Sequence, residues 1–147
     1  ARDLSKLLMA LEARPGERAL GIAAPYAAAV LARVGLEATA QESDGAVFAV
    51  AGEVLAEEGV RTVTAPLGAP VDGGYDVIIC EGAVPGRPEA WLEALNIGGR
   101  MAVVERTGAV GKAVLYVRGA QGVSRRELFN AAPPLLAELS AIPTFVL

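Results

Sequence analysis

Histidine is absent from the 147 residues, and cysteine occurs once, as Cys80. Without histidine, catalytic triads that use an imidazole base are excluded, and so is a zinc site of the usual Cys/His kind. A single cysteine cannot close an internal disulfide. Long apolar runs are missing too: Gly, Pro or a charge breaks each one well short of the roughly 18 to 20 residues a membrane-spanning helix needs. The N-terminus reads Ala1-Arg2-Asp3-Leu4-Ser5-Lys6, with no signal-peptide pattern, so a cytoplasmic protein without a membrane role is expected. Basic clusters are confined to Arg125-Arg126 with Arg118 nearby, and the net charge is -4, so a nucleic-acid footprint is lacking.

What the chain does have is apolar side chain. Hydrophobic residues make up 53%, enough for a real core, and the length argues for a single domain over residues 1–147. Leu4, Leu7, Leu8 and Leu11 recur at helical spacing within Asp3 to Glu12, and Arg14-Pro15-Gly16 stops that helix. A strand from Arg18 to Ala23 runs into Pro25, which suits the first turn of a helix because its missing N–H would be unpaired there anyway. That helix reaches Arg33 or Val34, and Gly35 ends it.

The alternation then repeats. Glu37 to Gln41 reads as a strand, and Asp44 to Glu58 as a helix with Val47, Val50, Ala51, Val54 and Leu55 as its buried stripe. Arg61 to Thr64 is a strand, and the Gly- and Pro-rich stretch from Ala65 to Gly74 is a loop. Tyr75 to Cys80 is the apolar, β-branched run expected of a central parallel strand covered on both faces. Pro88 to Asn96 reads as a short helix ended by Gly98-Gly99, and Met101 to Glu105 as the next strand. Lys112 to Arg118 and Val123 to Phe129 follow as a hairpin across Gly119-Ala120-Gln121-Gly122. The expected fold class is α/β: a doubly wound, mostly parallel Rossmann-like sheet with an antiparallel C-terminal hairpin, whose ligands bind at the carboxyl ends of the strands.

An opening helix, alternating strands and helices, Leu95-Asn96-Ile97-Gly98-Gly99-Arg100 before the fifth strand, and a closing hairpin together resemble the class I S-adenosylmethionine-dependent methyltransferases. The Leu-rich first helix, Tyr26-Ala27-Ala28-Ala29-Val30-Leu31-Ala32, Gly74-Tyr75-Asp76-Val77-Ile78-Ile79 and Arg126-Glu127-Leu128-Phe129 are more narrowly similar to the protein-L-isoaspartate O-methyltransferase family. The resemblance implies S-adenosylmethionine as cofactor and a protein or peptide carboxylate as substrate. It also implies a region ahead of the opening helix, bearing the Ser/Thr segment that meets the substrate, to which nothing in this chain corresponds.

Three cofactor landmarks follow from the resemblance. The first is a Gly-rich turn after strand one, opened by an acidic residue; here the acidic place is Gly21, Ala23-Ala24-Pro25 stand for glycines, and the turn is shorter than E-I-G-x-G-x-G-Y with Tyr26 matched to its Tyr. Added methyl groups and a fixed φ at Pro25 work against close backbone approach. The second is a carboxylate at the end of strand two that accepts from the ribose hydroxyls, and Glu42 stands there. The third, an acidic residue after strand three facing the adenine amino group, is lacking in Thr64-Ala65-Pro66-Leu67. One landmark of three predicts a weak or absent cofactor site.

Glu81, expected in a loop just past the fourth strand, is the candidate on the substrate side. Asp76 reads as a strand-entry residue, Cys80 as a buried small hydrophobe, and Trp91 as core. Gly108-Ala109-Val110-Gly111-Lys112 is no phosphate loop, because Arg106 stands where the first Gly is required and Ala113 where Ser or Thr would bind magnesium. The two functions in contention are a methyltransferase-like domain with a degenerate cofactor site and a non-catalytic structural or protein-interaction module.

Overall fold

Strand β1 (Arg18–Ile22) is the hub of the computed structural model, which describes residues 2 to 140. It pairs in parallel with β2 (Glu37–Glu42) on one side and β4 (Tyr75–Val84) on the other. Beyond β2 lies β3 (Arg61–Thr64), and beyond β4 lies β5 (Leu95–Arg106), both parallel to their neighbours. Strands β6 (Gly111–Gly119) and β7 (Gly122–Ala131) extend the sheet in antiparallel pairing, giving the order β3-β2-β1-β4-β5-β6-β7. The mostly parallel sheet with an antiparallel C-terminal pair expected from the sequence is therefore present. The strand order turns back on itself between β1 and β4, which makes the carboxyl ends of those two strands the switch point at which ligands bind such sheets.

Both faces are covered. Helices α1 (Arg2–Leu11), α2 (Pro25–Arg33) and α3 (Ala46–Glu57) lie over one face, where Leu4, Leu7, Leu11, Ala27, Ala28, Leu31 and Leu55 join the odd set of strand residues such as Ala19, Val77 and Ile79. The other face carries α4 (Glu89–Glu93) with Trp91 and Leu92, and the even set Leu20, Ile22, Ile78 and Cys80. Helix α5 (Ala137–Ser140) follows β7 on this second face, where Leu136 and Leu139 pack. Residue 1 and residues 141 to 147 of the expected single domain lie outside the described residues.

Several expected elements differ in detail. In α3 only Leu55 is buried, with Val47 and Ala51 partly so, while Val50 and Val54 are 89% and 57% exposed, so two of the five residues of the expected stripe face outward. The segment expected to end a helix at Asn96 is already strand β5: residues 96 to 99 bulge opposite Asp76, with Gly98 at a φ of +88°. Asn96 Nδ2 ties the bulge down by donating to the Gly74 carbonyl at 3.0 Å and to Asp76 Oδ1 at 3.1 Å. The hairpin turn is Ala120-Gln121 alone, since Gly119 and Gly122 are paired.

The amino end of the sheet is tied together by ions. Arg100 on β5 donates to both carboxylate oxygens of Glu17, at 2.7 and 2.9 Å, and to the carbonyls of Leu11 and Glu12 that end α1. These charge-assisted bonds hold the Glu17 carboxyl below its ordinary range, Arg100 being the largest cause. Asp76 accepts from the Arg18 backbone N–H at 2.9 Å, so its role is the structural one expected at a strand entry.

Candidate functional site

The turn from β1 into α2 sits at the switch point. Ala23 adopts a φ of +52°, in the left-handed region that glycine occupies without penalty, although it carries a methyl group. Its N–H donates to the Gln41 carbonyl at 3.0 Å, which clamps the turn to the end of β2. Gly21 serves packing: a Cβ there would lie 2.7 Å from the Ala24 carbonyl oxygen and 3.2 Å from Ala28 Cβ, so the absence of a side chain is what lets α2 lie against β1. Pro25 opens α2, and no side chain caps it. Tyr26 is 61% exposed and lies with Val54 along an apolar groove between α2 and α3.

Three carboxylates stand beside this turn. Glu42 is the last residue of β2 and half-buried; burial raises its carboxyl above the ordinary 4.5, and repulsion from Asp44 and then Glu81 adds to the rise. Asp44 accepts from the Ala46 N–H at 2.9 Å and so starts α3. Glu81 lies inside β4, not in a loop after it, because the strand continues to Val84 around a bulge in which residues 80 to 82 face Val103. It is exposed and still at the level of the β1 terminus, since Ile22 pairs with Cys80. The structure thus brings Glu42 and Glu81 together, and among the described residues neither enters an ion pair. Cys80 between them is fully buried, and burial followed by the two carboxylates pushes its thiol up, so it stays protonated.

The adjoining wall of the crevice contains residues that sequence reasoning did not nominate. Gln41 is a fully buried polar side chain; its Nε2 donates to the carbonyls of Pro66 and Ala69 at 2.9 Å each, and its Oε1 accepts from Val71 N–H at 2.8 Å. It thereby fixes the loop after β3. Trp91 Nε1 donates to the Leu67 carbonyl at 2.8 Å on the same loop, consistent with the core role expected of it. Glu138 reaches that loop from α5, its Oε2 accepting from Leu67 N–H at 2.6 Å. A Gln following the small residues Ala38, Thr39 and Ala40 inside β2 was the available signal for the first of these. Beside the crevice, Val84, Arg87, Trp91, Arg106 and Leu135 line a cleft of about 640 Å³.

Lys112 pairs with Asn130 Oδ1 on β7, away from any phosphate-binding arrangement. Among the described residues no group of three or more His, Cys, Asp or Glu could hold a metal ion, and no helix is long and apolar enough to cross a membrane.

No family model matches the chain. It is 35% identical over 151 aligned positions to protein-L-isoaspartate O-methyltransferase 1 of Rhodopseudomonas palustris (strain HaA2), an alignment covering 95% of this chain and 58% of that protein. The chain therefore spans somewhat more than half the length of this curated relative. Among solved structures, a Plasmodium falciparum protein assigned as a β-aspartate methyltransferase, in complex with S-adenosyl-L-homocysteine, superimposes with a TM-score of 0.77 at 14% identity, over 92% of this chain and 71% of that one. A second protein-L-isoaspartate O-methyltransferase gives a TM-score of 0.74 at 22% identity, over 92% and 47%. The chain has the fold of the S-adenosylmethionine-dependent methyltransferases and a weak sequence similarity to the protein-L-isoaspartate O-methyltransferases.

Proposed function

We propose that the chain is a protein-L-isoaspartate O-methyltransferase-like domain of the cytoplasm, whose site holds S-adenosylmethionine weakly. The observation that carries this reading is the half-buried carboxylate of Glu42 at the switch point, beside a β1 turn that keeps a left-handed residue at Ala23. Glu42 would hold the ribose hydroxyls, with Gly21, Ala23 and Tyr26 along the turn. The uncompensated charge of Glu42 and Glu81 suits a ligand bearing a sulfonium and an ammonium group. The cofactor, when bound, supplies an electrophilic methyl group to a protein or peptide carboxylate; the chain contributes positioning more than acid or base chemistry. Glu81, on the exposed side of the β4 bulge, is the residue facing the substrate.

Weakness follows from the same residues. The methyl group of Ala23 and the ring of Pro25 occupy space where backbone approach would be wanted, and the segment from Thr64 to Leu67 offers no carboxylate of its own. Titration calorimetry with S-adenosyl-L-homocysteine should show no saturable heat below millimolar ligand, a standard binding energy under about 4 kcal/mol. Amide resonances of Ala23, Tyr26 and Glu42 should still shift at several millimolar. A micromolar dissociation constant would overturn the weak-site reading and leave a competent one; unmoved resonances would overturn the cofactor reading. The second outcome would favour a non-catalytic interaction module, for which the exposure of Tyr26, Val50 and Val54 on α2 and α3 is the supporting observation.

A further inference from the structure

We propose that the C-terminal segment from Pro133 to Glu138 is a built-in occupant of the switch-point crevice, which an adenosine-bearing ligand must displace in order to bind; this rests on the methyltransferase-like reading above. Its path is fixed at three places. Arg106 Nη1 donates to the Pro133 carbonyl at 2.8 Å, where the chain leaves β7. Ala83 N–H then donates to the Pro134 carbonyl and Leu136 N–H to the Ala83 carbonyl, both at 2.9 Å, so the segment adds a short parallel bridge to the end of β4. Finally, Glu138 takes the Leu67 N–H.

Between these anchors Leu136 lies over Gly82. A Cβ at that position would be 2.9 Å from Leu136 Cδ2 and 3.5 Å from the Pro134 carbonyl oxygen, and Gly82 holds a φ of +109°. Leu136 also packs on the cluster that contains Leu20 and Ile22 of β1, Leu67 and Trp91. The segment therefore covers the end of β4 and the loop after β3, and packs on the cluster to which the end of β1 contributes. Two of its contacts are ones a purine could replace: the Leu67 N–H that Glu138 occupies can donate to a ring nitrogen, and Gly82 under Leu136 presents a flat surface to a ring face.

The anchors are also weak enough to yield. Glu138 and Leu135 are exposed and Leu136 is only half-buried, which places the segment among the parts of a fold that open first. A competitor of this kind lowers apparent affinity by the fraction of molecules in which the crevice is open. The carboxylate missing after β3 in the sequence is thus present in space, but it is supplied by Glu138 and spent on Leu67.

The test is a titration of the full chain with S-adenosyl-L-homocysteine, followed by amide shifts, in the parent, in Glu138→Ala and in Leu136→Ala/Glu138→Ala. Trp91, the sole tryptophan, reports the segment independently of ligand. We expect affinity to rise about threefold in the single variant and about tenfold or more in the double one. Trp91 emission should move to the red in the double variant alone and in the parent on saturation. Equal affinity in all three proteins overturns the segment's role and leaves the cofactor reading standing. Affinity that falls in Glu138→Ala also overturns it, because Glu138 would then belong to the ligand site. No binding by any of the three overturns the cofactor reading, and the displacement proposal with it. Should the double variant lose its cooperative urea transition, Glu138→Ala, which removes one exposed acceptor, decides.

Discussion

The two ends of the same sheet treat carboxylates in opposite ways. At the amino end, Glu17 is gripped by Arg100 and Asp76 by the Arg18 N–H and Asn96, and the Glu17 carboxyl is held low. At the carboxyl end, Glu42 is half-buried without a cation, faces Asp44 and Glu81, and is pushed up. One end is built to hold the fold together, whereas the other retains charge repulsion that the fold would be better without. Repulsion of this kind is tolerated where a ligand relieves it, so the contrast supports the ligand site proposed at the carboxyl end.

The amino end should be the more costly to break. Arg100→Met removes both bonds to Glu17 and the donors to the Leu11 and Glu12 carbonyls, and should lower stability by about 3 kcal/mol at pH 7 in urea titrations. Because the folded Glu17 titrates below its ordinary 4.5, its stabilisation is complete above that value and is lost as pH falls through the lower folded value. The gap between parent and variant should therefore narrow in acid, leaving the share that comes from the Leu11 and Glu12 carbonyls. A loss below about 0.5 kcal/mol would mean that the amino end is merely a solvated rim.

At the carboxyl end the largest effect should be on ligand. Should S-adenosyl-L-homocysteine bind at micromolar concentration, against the weak-site reading, Glu42→Gln would remove the charged acceptor proposed for two ribose hydroxyls and should weaken binding by about 1.5 to 3 kcal/mol, measured by titration calorimetry. Unchanged affinity would reduce Glu42 to an ordinary strand-end carboxylate. Ala23→Gly should raise stability by about 0.5 to 1 kcal/mol, since it removes a Cβ from a left-handed conformation. A destabilised Ala23→Gly would show that the methyl contributes packing worth more than the strain.

The smallest effect has the most informative sign. With its folded value raised, Glu42 favours the native state below 4.5 and loses that advantage as pH climbs through the folded value. Glu42→Gln should thus stabilise the free protein by roughly 0.5 kcal/mol at pH 7, a modest gain because solvent screens a half-open group, and should match the parent near pH 4. The same substitution at the amino end, Glu17→Gln, should destabilise at pH 7. If both changed stability in the same direction, the contrast between the ends would fail.

Most of the sheet was legible in the chain because its signals are local. Apart from Asp76 at its entry, Tyr75 to Cys80 is apolar with Val77, Ile78 and Ile79 β-branched at its centre, which reads as a strand covered on both faces, and the Arg18 strand pairs beside it. Helix α3 misled because Ala and Val surround it on nearly every side; its covered edge, Leu55 with Phe48 and Ala51 partly buried, is chosen by where β2 and β3 place it. Glu42 and Glu81 could be nominated singly from strand ends, but their mutual repulsion needs the register of β1, where Ile22 pairs with both Gln41 and Cys80, to bring them to one level. Leu136 and Glu138 were beyond reach, because only the assembled sheet decides where a segment returning after Pro133-Pro134 comes to rest.

The sheet also carries an order of assembly. Strands β5, β6 and β7 form a meander of sequential neighbours, with β6 and β7 joined by only Ala120-Gln121, so their pairing closes small loops and can form quickly. Strand β1 has no such local partner on its β4 side: Ala19 must wait for Val77 and Ile22 for Cys80. As the chain emerges from the ribosome, the slow half comes out first and the fast half last. During that interval β1 presents a bare apolar edge, and nascent copies are most exposed to wrong pairing before residue 84 has been made.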